Sequence, residues 1–373
     1  VAVDAWLTLL QAAQQITTRA WLDALKLCSS AEALVAAPRR TLLANGLAPD
    51  AVAALDNADR DTASRWQAWL AGPHKRLVTF GSREYPRRLA EIPDAPLALW
   101  VEGAKLELLS APQLAIVGSR SPTADGKDTA EQFARYLAQR GLTITSGLAT
   151  GIDGASHRGA VAALGGTIAV LGGGLDVIFP REHSKLAAEI AARGLLVSEY
   201  APGVEPQKLF FPQRNRIIAG LTLGTLVVEA TRRSGSLITA RLALDYGREV
   251  FAIPGSIHNP LARGCHHLIR QGAKLVEEAA DVLVEVAPLL DAEGFELAQE
   301  PLAESADETP VTSDPSYEKL LNALGFSPTP IADLSARTSL TTAELSSMLL
   351  LLELEGLVEA LPGGRYSRRG KKN

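Results

Sequence analysis

Three short stretches carry side chains able to hold a polyanion. Gly118-Ser119-Arg120 follows an apolar run, so two small residues open the backbone to close approach and a guanidinium fork stands ready for a phosphate. Lys208, Phe211, Arg214 and Asn215 surround Pro212, which suits the first turn of a helix because its missing N–H is no loss there. Arg216 adds a further cation to a helix start that already favours anions through its N–H groups and dipole. Ser234-Gly235-Ser236 lead into another helix, whose first N–H groups are expected to be free for an anion. Cations beside an aromatic ring suit a single-stranded nucleic acid, whose phosphates need charge and whose bases need a π-face. The plainer alternative pairs the arginines with Glu199 or Glu229 and puts Phe211 in the core.

Other chemistry finds less support. Gly118-Ser119-Arg120 and the triple Gly172-Gly173-Gly174 both miss the G-x-G-x-x-G spacing, and no Walker A run occurs, so no NAD, ATP or other cofactor is called for. His157, in the Gly-rich loop and helix start Ser146–His157 with Asp153 in its first turn, has no nucleophile elbow beside it and reads as structural rather than as a general base. Cys265-His266-His267 lacks a second ligand pair at zinc spacing, so no metal site is assigned. No catalytic residue is assigned either.

Composition bounds the class. The 373 residues are 47% hydrophobic and 21% charged, enough for two or three domains with a sizeable core. A net charge of −5 excludes a generic polycation, so any nucleic-acid site must be a local patch. Two distant cysteines, no signal peptide and no membrane-length apolar run point to the cytoplasm. Val1 in place of an initiator Met is expected of a processed chain.

These residues need a scaffold. Residues 1–72 read as a small helical bundle, with helices over 2–14, 18–27, 31–36, 39–44 and 51–70. Over residues 73–288, apolar strands alternate with amphipathic helices, which predicts an α/β fold with a doubly wound, mostly parallel sheet. Strands are expected at 77–80, 97–101, 114–117, 142–146, 167–171, 195–198, 225–228 and 250–253. Nearly all end in small or polar residues, on the rim where such sheets bind ligands. An acidic stretch at 289–314 reads as a flexible linker, since 291–314 holds eight Asp or Glu and no Lys or Arg. Residues 315–373 then show three helices and a hairpin turning at Pro362-Gly363-Gly364, a winged helix. Its expected reading helix is rich in Leu and nearly free of cations, which favours a protein contact over base readout, although the basic tail remains available to phosphates.

The segments 115–122, 146–157, 211–218, 229–240 and 250–255 resemble, in order, the DNA-processing protein A (DprA/Smf) family. The resemblance spans roughly residues 76–285, with an N-terminal sterile-alpha-motif-like module and a C-terminal winged helix as variable additions. It implies a Rossmann-like core that binds single-stranded DNA without sequence preference. It also implies a homodimer through that core which loads RecA recombinase onto DNA coated by single-stranded-DNA-binding protein during natural transformation, without catalysis. Gly118, Ser119 and Arg120 match the family's phosphate-contacting turn; Lys208 and Phe211 match its basic residue and base-contacting aromatic; Arg214 and Asn215 match its Arg-Asn pair. Phe179-Pro180-Arg181-Glu182-His183 departs from the family's usual Tyr-Pro turn with a closing Asn. The competing classes are a nucleotide phosphoribohydrolase of similar core, with Glu229 as its acidic residue, and a regulator acting through the winged helix.

Overall fold

The computed structural model describes residues 2–13, 18–298, 315–325 and 328–369. The chain forms two compact units, 1–299 and 300–373. In the first, nine strands make one sheet: β1 (Lys75–Thr79), β2 (Ala98–Glu102), β3 (Gln113–Val117), β4 (Thr143–Ser146), β5 (Thr167–Leu171), β6 (Leu195–Ser198), β7 (Gly224–Val227), β8 (Glu249–Ala252) and β9 (Lys274–Leu275). Their order is β1-β2-β6-β5-β4-β3-β7-β8-β9. From β6 to β9 every pairing is parallel, and β1 and β2 add an antiparallel edge. Every residue of β3 to β7 is buried, as expected of strands covered by helices on both faces. The short edge strand β9 is an addition to the strands expected from the sequence.

The topology fixes where a ligand can enter. The chain lays β4, β5 and β6 on one side of β3, and the helix Phe210–Leu221 then carries it back to β7 on the other side. The order therefore reverses between β3 and β7, and the loops leaving their carboxyl ends part to form a crevice. That crossover helix is anchored as its periodicity predicts, with Ile217, Ile218 and Leu221 all buried.

Two expectations are corrected here. The single helix expected over 51–70 is two, Pro49–Asp56 and Arg60–Leu70. Asp59 starts the second by accepting hydrogen bonds from the amides of Asp61 and Thr62, at 3.2 and 2.8 Å, which outweighs the continuous helical pattern. The N-terminal helices also share the core with the sheet rather than sheltering their own: Trp66 and Trp69 meet Trp100 of β2 edge to face, at 5.4 and 5.7 Å.

The linker is corrected as well. A helix over Ala279–Ala292 runs into the stretch expected to be flexible, and Leu290 is buried against the core. Phe295 and Leu297 pack against the same cluster, and the Ala298 amide donates to Arg140 O at 3.1 Å. These apolar side chains override the acidic composition. The rest of the expected linker, 299–314, lies outside the described residues, as does the tail from Gly370.

The second unit has the expected helices, Pro315–Leu324, Ile331–Thr338 and Thr342–Leu354, with the hairpin β11 (Val358–Leu361) and β12 (Arg365–Arg368). A third short strand, β10 (Thr329–Pro330), pairs with β12 and was not expected. Thr341 and Glu344 form the capping box that starts the last helix. Leu345, Leu349 and Leu352 of that helix are buried, while Leu350, Leu351 and Leu354 face solvent.

The packing of 287–298 gives a test. A chain ended after Ala298 should keep the denaturant midpoint of the first unit. One ended after Val286 should lose at least about 2 kcal/mol, the worth of one buried Leu side chain. Equal midpoints would show that the segment contributes nothing.

Candidate nucleic-acid interface

One cleft of about 640 Å³ opens at the reversal point between β3 and β7. Gly118, Ser119, Arg120, Lys208, Phe211, Arg214, Asn215, Ser234, Gly235 and Ser236 all line it, so the ten residues singled out in three separate stretches meet in one place.

Close packing shapes its floor. A Cβ on Gly118 would lie 2.6 Å from the Ile152 side chain and 2.9 Å from Glu229 O, so only glycine allows the turn after β3 to sit so near the end of β7. Glu229 locks that arrangement. Its carboxylate accepts from the Thr123 amide at 2.9 Å and from the Thr123 hydroxyl at 2.8 Å, while Thr123 caps the helix Ala124–Gln139. Both oxygens are thus engaged, and Glu229 is a brace between two loops.

Arg214 and Arg216 depart from the expected cationic rim. Arg214, expected at the mouth, is 4% exposed and forms part of the floor. It sits one helical turn before Ile217 and Ile218 and therefore faces the sheet with them. There it donates to the Val170 carbonyl of β5, lies over Gly147, and faces Asp153. Asp153 in turn accepts from the amides of Gly147 and Ala149, at 3.1 and 3.4 Å. Burial pushes the Asp153 carboxyl above its ordinary range, with Arg214 and the two amides pulling the other way. The same burial pushes the Arg214 guanidinium down to about 10. Arg216 is also buried and is ion-paired to Glu199 and, at 3.2 Å, to Asp94. The plainer reading therefore holds for Arg216, whereas Arg214 has neither Glu199 nor Glu229 as its partner.

The rim is left to other groups. Arg120 and Lys208 are exposed and have no carboxylate partner among the described residues. The Arg120 guanidinium lies 5.6 Å from the centre of the Phe211 ring. Phe211 is half-buried and lines the cleft, while Phe210 stacks on Tyr200 at 4.1 Å and does not. Asn215 reaches across to the Gly235 carbonyl at 3.4 Å, holding the third loop against the crossover helix. In that loop the first amides are not free as expected. Ser236 N meets the Ser234 hydroxyl, Leu237 N the Ser234 carbonyl and Ile238 N the Gly235 carbonyl, because the turn tightens before the helix begins. What it offers instead is the Ser234–Ser236 hydroxyl pair, 2.7 Å apart.

Three further residues were not assigned to the site from the sequence. Arg232 and Arg233 are exposed in the same loop and unpaired among the described residues; their place between Thr231 and Ser234 was the available signal. Phe179 lines the cleft from the loop after β5, with its ring 5.5 Å from that of Phe211. Nothing in its spacing placed it there. The departing turn at His183 faces inward, with Nδ1 2.9 Å from the Leu148 carbonyl.

His157 is fully buried, as a structural residue should be. Thr167 Oγ1 donates to Ile144 O and lies 2.8 Å from His157 Nδ1, so the ring donates through Nδ1. Cys265 is buried with its thiol pushed up to about 12 by desolvation, and no metal-ligating cluster occurs among the described residues.

Two outcomes follow from this geometry. Arg214→Met should destabilise the protein by about 1–3 kcal/mol, because the buried Val170 carbonyl loses the donor that Arg214 supplies. Arg120→Ala, at an exposed position, should stay within about 0.5 kcal/mol; denaturant melts of equal midpoint would refute the buried assignment. Burial also pushes His157 down to about 3. The unfolded chain then takes up the proton first, so His157's share of stability is intact above about pH 6.5 and falls by about 1.4 kcal/mol per pH unit below it. His157→Gln should flatten the stability–pH curve below pH about 6.5, and an unchanged slope would place the titration elsewhere.

The profile of the DNA recombination-mediator protein A family matches residues 76–287, and that of the DprA winged helix domain matches residues 304–364. Protein Smf of Escherichia coli K12 is 45% identical over 300 residues, covering 79% of this chain and 78% of that protein. The X-ray structure of DNA processing protein A from Streptococcus pneumoniae superposes with a TM-score of 0.68 at 39% identity, over 76% of this chain and 97% of that one. DNA processing protein A from Helicobacter pylori, in a structure concerned with that protein's single-stranded DNA binding mode, gives a TM-score of 0.52 at 30% identity, over 58% and 97%. By a match that spans more than half its length and runs in order through every loop of the cleft, the chain belongs to the DNA recombination-mediator protein A family.

Proposed function

We propose that this protein binds single-stranded DNA in the β3/β7 cleft without sequence preference and loads RecA recombinase onto it during natural transformation. The observation that carries the reading is the composition of the cleft: exposed Arg120 and Lys208 beside the half-buried Phe211 ring, in a protein of net charge −5. Phosphate contacts position a strand without reading its bases, and an aromatic face accepts any base. The relatives named as DNA processing proteins, one of them described with single-stranded DNA, support the same reading. The working form is a homodimer through the core, acting in the cytoplasm on DNA coated by single-stranded-DNA-binding protein. No described helix is long and apolar enough to cross a membrane.

The reading is of a binding protein rather than an enzyme. A phosphoribohydrolase needs a carboxylate free to act, and Glu229 has both oxygens on Thr123. His157 is walled off from the cleft by burial.

Binding to a single strand should exceed binding to the duplex of the same sequence, with no release of base from a nucleoside monophosphate; RecA should be retained in a pull-down. A preference for duplex, or measurable hydrolysis, would replace the proposal. Arg120→Ala and Lys208→Ala should each weaken binding and each reduce the slope of log K against log salt by about 0.7. Phe211→Ala should weaken binding about ten- to hundredfold with the slope unchanged. If the Phe211 variant alters the slope as the charge variants do, the ring is not a stacking surface.

A further inference from the structure

The most open ring in the cleft is not Phe211. Phe179 is 52% exposed, an unusual state for a phenyl side chain. Its loop is nonetheless held in place: Asp176 accepts from the Gly203 amide with both oxygens at 2.9 Å, and His183 on the far side contacts Leu148 O. Phe211, in contrast, is hemmed in. Gly172 lies against it, so that a Cβ there would come within 3.1 Å, with Arg120 at 5.6 Å and Phe179 at 5.5 Å.

The angle between the two rings decides how they can be used. A base held between them would need near-parallel faces about 7 Å apart, twice the contact distance of roughly 3.5 Å. The rings are 5.5 Å apart and inclined by 40°, too close and too tilted for one base to enter. Each can still offer its own face to its own base. The occupant is a nucleobase rather than an apolar side chain of a protein because exposed Arg120 and Lys208 line the same cleft as the rings, neither with a carboxylate partner among the described residues. A strand supplies a phosphate beside every base; an apolar peptide surface supplies none.

We propose that Phe179 is a second base-stacking residue, so that the cleft takes two successive bases of a single strand, one on Phe179 and one on Phe211. This rests on the single-strand reading of the cleft and adds a second base site to it.

The test uses the full chain and a fluorescein-labelled oligothymidylate of about 20 nucleotides, longer than the roughly 4–16 nucleotides that single-strand folds cover. Phe179→Ala and Phe179→Leu should each weaken binding by about tenfold or more, with the salt slope unchanged, while Phe179→Tyr retains affinity. Leucine keeps the apolar bulk without the π-face, so loss in that variant is not a matter of folding, and melting curves run alongside confirm it. Should Phe179→Leu bind within about twofold of the unaltered chain while Phe211→Ala is weakened, only Phe211 stacks and the second base site is wrong. If the unaltered chain does not bind the oligonucleotide at all, the single-strand reading fails, and the second site with it.

Discussion

A guanidinium held out of water is the constraint on which the cleft depends. Arg214 leaves the crossover helix, bonds to Val170 near the end of β5, lies over Gly147 just after β4, and faces the carboxylate at the start of the next helix. Three pieces of chain that are distant in sequence thereby meet at one planar group. Its geometry demands glycine at 147, since any side chain there would occupy the guanidinium's place. Burying such a pair does not by itself stabilise a fold, because desolvation offsets most of the attraction. A displacement of the helix from β5 breaks the bond to Val170 and leaves a buried guanidinium N–H without its acceptor.

Above that floor the chemistry is divided by exposure. Charges that face inward are matched: Arg214 with Asp153, Arg216 with Glu199 and Asp94. Charges at the rim are left open, namely Arg120 and Lys208. A protein of net charge −5 thus gathers exposed Arg120 and Lys208 on one cleft at the carboxyl ends of its central strands. Glu229 and Asn215 belong to neither set. They tie the loops after β3 and β7 to their neighbours and so keep the open charges at fixed spacing.

The outlying parts of the chain differ in how they relate to this core. The N-terminal helices are bound into it by the Trp66–Trp69–Trp100 contacts and by the Trp66 indole N–H, which donates to Pro202 O at 3.3 Å. Pro202 lies in the segment between β6 and the crossover helix, so the helices brace the chain that delivers Lys208 and Phe211. The C-terminal unit has its own apolar cluster around Leu334, Leu345 and Leu349. Its last helix keeps Leu350, Leu351 and Leu354 in solvent, an apolar surface rather than a base-reading one.

Much of this was legible in the sequence because it is local. Strand positions follow from apolar runs bounded by glycine and polar residues, and the parallel sheet follows from their alternation with helices. The ten cleft residues were legible for a related reason: each stretch ends a strand or starts a helix, and a doubly wound sheet gathers all such ends on one rim. What sequence could not decide was direction. Arg120 and Arg214 are the same residue type in equally suggestive surroundings, yet one is open to solvent and the other is sealed under the cleft. The difference lies in Gly147, Val170 and Asp153, three partners brought to Arg214 only when β4, β5 and their helices pack. The same holds for Phe179, whose exposure depends on a loop pinned from Gly203 and Leu148, and for Phe295, which packs onto the core from a stretch whose acidic composition argued for solvent. Propensity and spacing act over a turn of helix or a pair of residues. Burial and pairing depend on neighbours tens of residues away, and only the tertiary structure supplies those.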